Sequence, residues 1–299
     1  MTGPTVLASI PSPPRSEISL GPFPLRGYAM AIIVGVFAAV YIAERRWVAR
    51  GGTRGVIGDL AIVAVPVGIV GGRIYHVLTS WEQYADAPID ALKIYEGGLG
   101  IPGGLVAGAL ALVVMGRRRG IRASALLDAV APGVAVAQAI GRLGNWFNQE
   151  LFGRPTSLPW ALEIDVEHRP ARFLSEPTYH PTFLYELLWN LAVAALVVLA
   201  ERRWALRRGR AAALYAALYA AGRFVIEGIR IDEANSLGGL RTNEITALAV
   251  FVLAVGYLIA TRGRGADDRP VEARPPDVTE QPAEIEPYSS ATGSNPSVE

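Results

Sequence analysis

Residues Gly141-Arg-Leu-Gly-Asn-Trp-Phe-Asn-Gln-Glu-Leu-Phe-Gly-Arg154 decide how this chain is read. The run holds two Arg, two Asn, a Gln, a Glu and three Gly. It follows directly on 123–141, an apolar stretch of the length that spans a bilayer. A charge at bilayer depth costs about 2.5–3.5 kcal/mol on insertion scales. Such residues persist where they line a cavity, pair with one another or bind something. Arg142 alone is read equally well as the start of a loop leaving the membrane. The whole cluster is better read as part of a site.

Composition agrees with a membrane setting. The chain is 51% hydrophobic and 18% charged, with a mean hydropathy of +0.30, which fits a polytopic membrane protein better than a soluble one. A net charge of +1 names no nucleic-acid partner. There is no cysteine, so disulfides, thiolate nucleophiles and Cys-based metal sites are excluded. His76, His168 and His180 lack the spacing of a zinc site. No metal and no cofactor is expected.

Seven apolar stretches of about 20 residues extend to either side of the cluster: 28–46, 57–78, 98–116, 123–141, 185–200, 211–229 and 243–261. The expected fold is therefore an all-α polytopic membrane protein with seven transmembrane helices. The third stretch opens on Gly97-Gly-Leu-Gly-Ile-Pro-Gly-Gly104, a poor helix former that suggests a re-entrant or unwound start. Arginines crowd every second connection: Arg45, Arg46, Arg50 and Arg54; Arg117, Arg118, Arg119 and Arg122; Arg202, Arg203, Arg207, Arg208 and Arg210; then Arg262 and Arg264. The positive-inside rule makes these cytoplasmic, with the N-terminus outside and the C-terminus inside. Residues 1–20 read as an irregular lead-in and 21–262 as the membrane domain. Within it, the outer loop 142–184, with strand-like Trp160–Val166, reads as a small outward-facing cap. Residues 263–299 turn Pro-, Glu- and Ser-rich and are expected to be a disordered cytoplasmic tail. The inner halves of the helices carry few polar residues on this reading.

The polar residues gather at the outer level. Tyr219, Arg223, Glu227 and Arg230 share one face of span six, where Arg223 and Glu227 can pair. Tyr28 opens span one. Gly71-Gly-Arg73 and His76 close span two. Arg142 and Asn145 close span four, His180-Pro-Thr-Phe-Leu-Tyr-Glu186 opens span five, and Asn243 and Glu244 open span seven. A shared site is the economical explanation. Several arginines facing one cavity suit a phosphate, and glycine runs permit anion-binding nests. At bilayer depth the natural phosphate is a lipid headgroup. Without a protein nucleophile or metal, direct transfer between two bound substrates becomes plausible, the protein supplying position and electrostatics.

These segments together resemble the prolipoprotein diacylglyceryl transferases of bacteria. Gly141, Arg142, Gly144, Asn145, Asn148, Glu150 and Gly153 match the spacing of that family's signature. His180–Glu186 is similar to its His-Pro-x-x-Leu-Tyr-Glu element, and Gly222-Arg-Phe-x-x-Glu-x-x-Arg230 to its span-six motif; Gly71–Arg73 and Gly97–Leu99 also match. The resemblance covers about 20–262. It implies a seven-span enzyme of the bacterial inner membrane with no cofactor. Its partners would be phosphatidylglycerol, the signal peptide of a preprolipoprotein with its lipobox cysteine, and membrane lipids. Diacylglyceryl would pass to the cysteine thiol, leaving a thioether-linked prolipoprotein and glycerol phosphate, the first step of lipoprotein maturation. Arg142, Arg223, Asn145 and Glu227 would be catalytic. Tyr28, Arg73, Gly97, Gly98, Gly103, Gly104, Glu150, Gly153, His180, Tyr219 and Arg230 would bind substrate or support the site. Many members carry His where this chain has Pro102, so the acceptor of the thiol proton stays open between water, Glu227 and a thiolate that arrives already formed. A transporter or flippase of an anionic lipid is the alternative, as is a structural subunit.

Overall fold

The computed structural model describes residues 9–20, 23–94, 97–232 and 236–263. The expectations for residues 1–8 and for the tail from 264 onward lie outside the described residues. Seven α-helices run through the described chain: α1 (Gly27–Ala49), α2 (Val56–Thr79), α3 (Ile101–Arg118), α4 (Ala123–Asn148), α5 (Thr182–Trp204), α6 (Arg210–Glu227) and α7 (Thr242–Ala260). Five of them, all but α3 and α6, are long and apolar enough to cross a membrane. The α6 helix has 18 residues and carries Arg210, Arg223 and Glu227; α3, also 18 residues, ends on Arg117 and Arg118. Phe37, Ile62, Leu78, Leu253 and Ile259 are among many large apolar side chains left exposed, the pattern of a protein whose outer surface meets lipid tails.

The α4 helix is the axis of the bundle. Half of its most apolar window is buried, against 17% for α1 and 11% for α7. It packs on α1 through small residues: a Cβ on Gly35 would lie 3.0 Å from the Ala137 carbonyl, and one on Gly133 would lie 2.6 Å from that of Ala39. Ala135 of α4 also joins Val193 and Val197 of α5 and Ala211 of α6 in one buried cluster. At 26 residues, α4 measures about 39 Å, roughly 9 Å more than a hydrocarbon core needs. It therefore does not end at 141. Arg142 and Asn145 belong to its last two turns, and the helix stops only where Gln149 takes a left-handed φ of 50°.

The glycine run behaves differently from the sequence expectation. Gly97 and Gly98 do adopt positive φ, but Gly103 and Gly104 lie inside α3, which starts at Ile101 with Pro102 in its first turn. There the missing N–H of proline goes unneeded. Gly68, Gly72, Gly104 and Gly108 bring α2 and α3 into backbone contact; a Cβ on Gly104 would sit 3.2 Å from the Gly68 carbonyl. Such small-residue seams let membrane helices approach closely. Gly103→Ala would put a methyl 2.5 Å from the Gly71 carbonyl, whereas Gly256 has open space around it. Gly103→Ala is expected to lower the thermal midpoint in detergent by several degrees and Gly256→Ala to leave it unchanged; equal midpoints would refute the close seam.

Residues 149–181 fold over the near end of α4 and α5. The strand expected over Trp160–Val166 shrinks to Leu162–Glu163, paired with Thr178–Tyr179. Phe152, Leu162, Ile164, Tyr179 and Phe183 make a small core there, with Ile10 against it. Part of the lead-in is ordered: Glu17–Leu20 pairs with Phe23–Arg26 as a hairpin before α1, and Ile10 bridges to Leu162.

The far end is not poor in polar groups. Arg46 and Arg50, counted as loop charges, both ion-pair with Glu201 of α5. Asp128 of α4 accepts from the N–H of Gly209 at 3.0 Å and of Ala212 at 2.9 Å. It thereby satisfies orphan donors at the start of α6 from another helix. These groups are committed to one another and tie α1, α4, α5 and α6 together.

Candidate active site

The near ends of α4, α5, α6 and α7 meet in one chain of paired charges. Asn145 donates to Glu150 Oε1 at 2.8 Å, and Arg142 Nη1 donates to Asn145 Oδ1 at 3.3 Å. Arg142 then pairs through Nε with Glu186 of α5. The second oxygen of Glu186 accepts from Arg223 Nη1 of α6 at 2.7 Å. Arg223 Nη2 lies 2.6 Å from Glu227 Oε2, an ion-pair contact without hydrogen-bond alignment. Glu227 is wholly buried, and it also meets Arg230 at 3.5 Å, Arg241 at 3.0 Å and the Asn243 amide at 3.0 Å. Asp232 closes the chain on Arg230 and Arg241. Burial would raise the Asp232 carboxyl, but the Arg230 hydrogen bond and the charges of Arg230 and Arg241 hold it below the usual carboxylate range.

Local backbone explains why these side chains meet. The Tyr28 ring lies flat on α4 because Gly144 has no Cβ to obstruct it, within electrostatic reach of Glu150 and Arg142. Trp189 of α5 lies in the same way over Gly222, next to Arg223. Gly153 bridges to Arg230, and its N–H bonds the His180 carbonyl at 3.0 Å, so the segment after α6 is held under the cap. A Cβ on Gly153 would lie 2.7 Å from that of His180. The span-six stripe is confirmed from Tyr219 to Glu227; Arg230 lies past the helix end yet returns to Glu227. Tyr219 stacks on Tyr215, one turn below Arg223.

Several residues expected at the substrate site make contacts within the scaffold. All five N–H donors of Arg73 go to backbone carbonyls of residues 90, 91, 93, 97 and 98, at 2.7–3.3 Å. Arg73 thus shapes the glycine turn and has no donor left for a phosphate. Gly98 lies against Arg73 and His76, and Gly97 within reach of Arg26. Gly103 and Gly104 lie in α3 and pack against α2. His180 is set by burial and then by the charge of Arg154, both of which lower its basicity. Its Nδ1 lies 3.1 Å from the Tyr185 hydroxyl, which accepts from Trp160. His180 and Gly153 therefore brace the cap. No hydrogen bond or ion pair among the described residues links α2, α3 or the glycine turn to the charge chain.

The expected arginine-lined cavity is corrected in one further respect. Four arginines (142, 223, 230 and 241) face four carboxylates (150, 186, 227 and 232), so the cluster is close to neutral. Arg142 Nη2 makes no hydrogen bond to the described residues, its Nη1 going to Asn145 and its Nε to Glu186. Sequence reasoning gave Glu186 no role beyond its motif and missed Arg241 and Asp232. The short spacing of Arg230 and Asp232 and the capping box of Arg241 with Glu244 were the signals available. A cavity of about 410 Å³ opens beside Glu150 and Asp232, at the two ends of the chain, lined also by Asn148, Gln149 and His168.

A helical bundle of this kind, with five helices able to cross a bilayer and a buried arginine–carboxylate chain at one end, is a polytopic membrane protein. The profile of the prolipoprotein diacylglyceryl transferase family matches residues 16–260. The chain belongs to that family of bacterial transferases. It is 53% identical over 289 residues to phosphatidylglycerol–prolipoprotein diacylglyceryl transferase 2 of Streptomyces coelicolor, covering 91% of each chain. It is 57% identical over 256 residues to the phosphatidylglycerol–prolipoprotein diacylglyceryl transferase of Streptomyces griseus, covering 85% of this chain and 78% of the other. The Mycobacteroides abscessus protein of that name is 49% identical over 275 residues, covering 86% and 80%.

Proposed function

We propose that this chain transfers diacylglyceryl from phosphatidylglycerol to the lipobox cysteine thiol of preprolipoproteins and releases glycerol phosphate. The observation that carries this reading is Glu186 holding Arg142 and Arg223 side by side. The sulfur of the substrate attacks the glycerol carbon that bears the phosphate. An S–C bond forms, the C–O bond breaks, and the electron pair leaves on the phosphate oxygen. Arg142 and Arg223 are preorganised where that charge gathers. Glu186 is a positioning residue, fixing both guanidiniums; Nη2 of Arg142 and Nε of Arg223, which make no hydrogen bond to the described residues, are the donors left for the phosphate. Glu227, engaged by three arginines and Asn243, carries structure and keeps Arg223 in place. Pro102 offers no proton acceptor. Glu150 does, since its Oε2 has no partner among the described residues. Tyr28 and Tyr219 flank the two arginines.

All seven helices cross the membrane on this reading. The cap and N-terminus lie outside and the C-terminus lies in the cytoplasm, because the arginine-rich connections sit at the far end of the bundle. This Cys-free chain accepts single reporters at the exposed positions Arg15 and Arg118. In spheroplasts, an impermeant thiol reagent should label Arg15→Cys and spare Arg118→Cys. The reverse pattern would invert the site.

The function is tested in vesicles with a lipobox peptide. Glycerol phosphate should be released from phosphatidylglycerol only when the peptide carries its cysteine, and phosphatidylethanolamine should give far less turnover. Equal turnover of the two lipids, or movement of phosphatidylglycerol between leaflets without transfer, would contradict the proposal.

A further inference from the structure

A second cavity, of about 460 Å³, lies at the far end of the bundle, lined by Trp204, Leu206, Arg210, Leu214 and Leu258. The turn from α5 to α6 and the last turns of α7 build it. Four of its five lining side chains are apolar, and Trp204 is 66% exposed. The fifth is Arg210. Its Nε is buried and has no hydrogen-bond partner, and no described residue makes an ion pair with it.

The carboxylates of this end are committed elsewhere. Glu201 holds Arg46 and Arg50, and Asp128 holds the backbone of Gly209 and Ala212. A buried guanidinium N–H without an acceptor is costly, and a guanidinium stays charged at any physiological pH. A guanidinium placed in this way favours an anionic partner. Because the remaining walls are apolar, that anion is borne by an apolar body. Arg202 and Arg203, exposed on the preceding turn of chain, add positive charge beside the cavity. Arg210 and Arg223 are thirteen residues apart on one helix, about 20 Å at 1.5 Å per residue. The cavity is thus separate from the charge chain.

We propose that this cavity binds one anionic phospholipid from the leaflet facing away from the reaction site. Its phosphate sits on Arg210, and an acyl chain lies along Leu214 and Leu258. The test uses full-length protein in micelles titrated with phospholipids brominated on their acyl chains. The Trp204 share of the quenching is obtained by difference from Trp204→Phe. Brominated phosphatidylglycerol should quench Trp204 at concentrations about fivefold lower than brominated phosphatidylcholine, the advantage expected from one basic residue near an anionic lipid. Arg210→Gln should abolish that advantage. Leu214→Phe, which fills the cavity and keeps the charge, should weaken quenching by both lipids. Equal quenching by the two lipids, or a preference that survives both substitutions, overturns the proposal. So does relief of quenching by inorganic phosphate, which would make the site one for a soluble anion. Quenching seen only after deletion of 264–299 would give the cavity to the chain's own Asp267 and Asp268, and would overturn it too.

Discussion

Arg223→Ala is expected to lower diacylglyceryl transfer by about 10²–10³-fold, the usual consequence of removing one preorganised contact to developing charge. The fold should survive, because neither carboxylate that meets Arg223 is stranded. Glu186 keeps Arg142, and Glu227 keeps Arg230, Arg241 and Asn243. Arg223→Lys should restore only part of the rate, since an ammonium cannot reach both carboxylates with a planar fork while facing a phosphate. Turnover is measured with the thermal midpoint in the same detergent. If Arg223 were only a tie between α5 and α6, the midpoint would fall and the folded fraction would turn over normally.

Glu227→Ala should have the largest effect on stability. The carboxylate is wholly buried and faces three guanidiniums. Removing it leaves a surplus of buried positive charge, which typically costs about 3–5 kcal/mol. Glu227→Gln should destabilise nearly as much, because it keeps the Asn243 neighbour but loses the charge. Denaturant titration in micelles, alongside Arg223→Ala, separates the two roles. A Glu227→Gln protein as stable as its parent but inactive would make Glu227 a group of the reaction rather than the centre of the arginine cluster.

The helices were legible as apolar runs, but their ends were not. Composition changes at Arg142, and the sequence reading stopped the span there. The backbone continues as helix to Asn148 because nothing breaks it before Gln149 turns left-handed. The pairing of Arg223 with Glu227 followed from their spacing of four. The bridge through Glu186 did not, because it joins two helices whose rotation no single segment encodes. The glycine run 97–104 suggests an unwound start, yet α3 begins at Ile101 and takes in Gly103 and Gly104. Gly68, Gly72, Gly100, Gly104 and Gly108 already carried the four-residue spacing of a helix seam. Arg46 and Arg50 were counted only as loop charges; their partners, Glu201 and Asp128, lie more than 70 residues away. Asp232 and Arg241 carry only local signals, the two-residue spacing from Arg230 and the capping box with Glu244. Only the fold brings Arg241 to Glu227 and Asp232 to Arg241.

The central claim is that this chain itself moves diacylglyceryl onto a thiol. The direct measurement is the mass of a lipobox peptide after incubation with purified protein and phosphatidylglycerol. A cysteine peptide should gain the mass of one diacylglyceryl group in a linkage that survives mild alkali as a thioether, and the matching serine peptide should gain nothing. A cysteine peptide recovered at its starting mass, from protein shown to be folded and bound to phosphatidylglycerol, would contradict the claim.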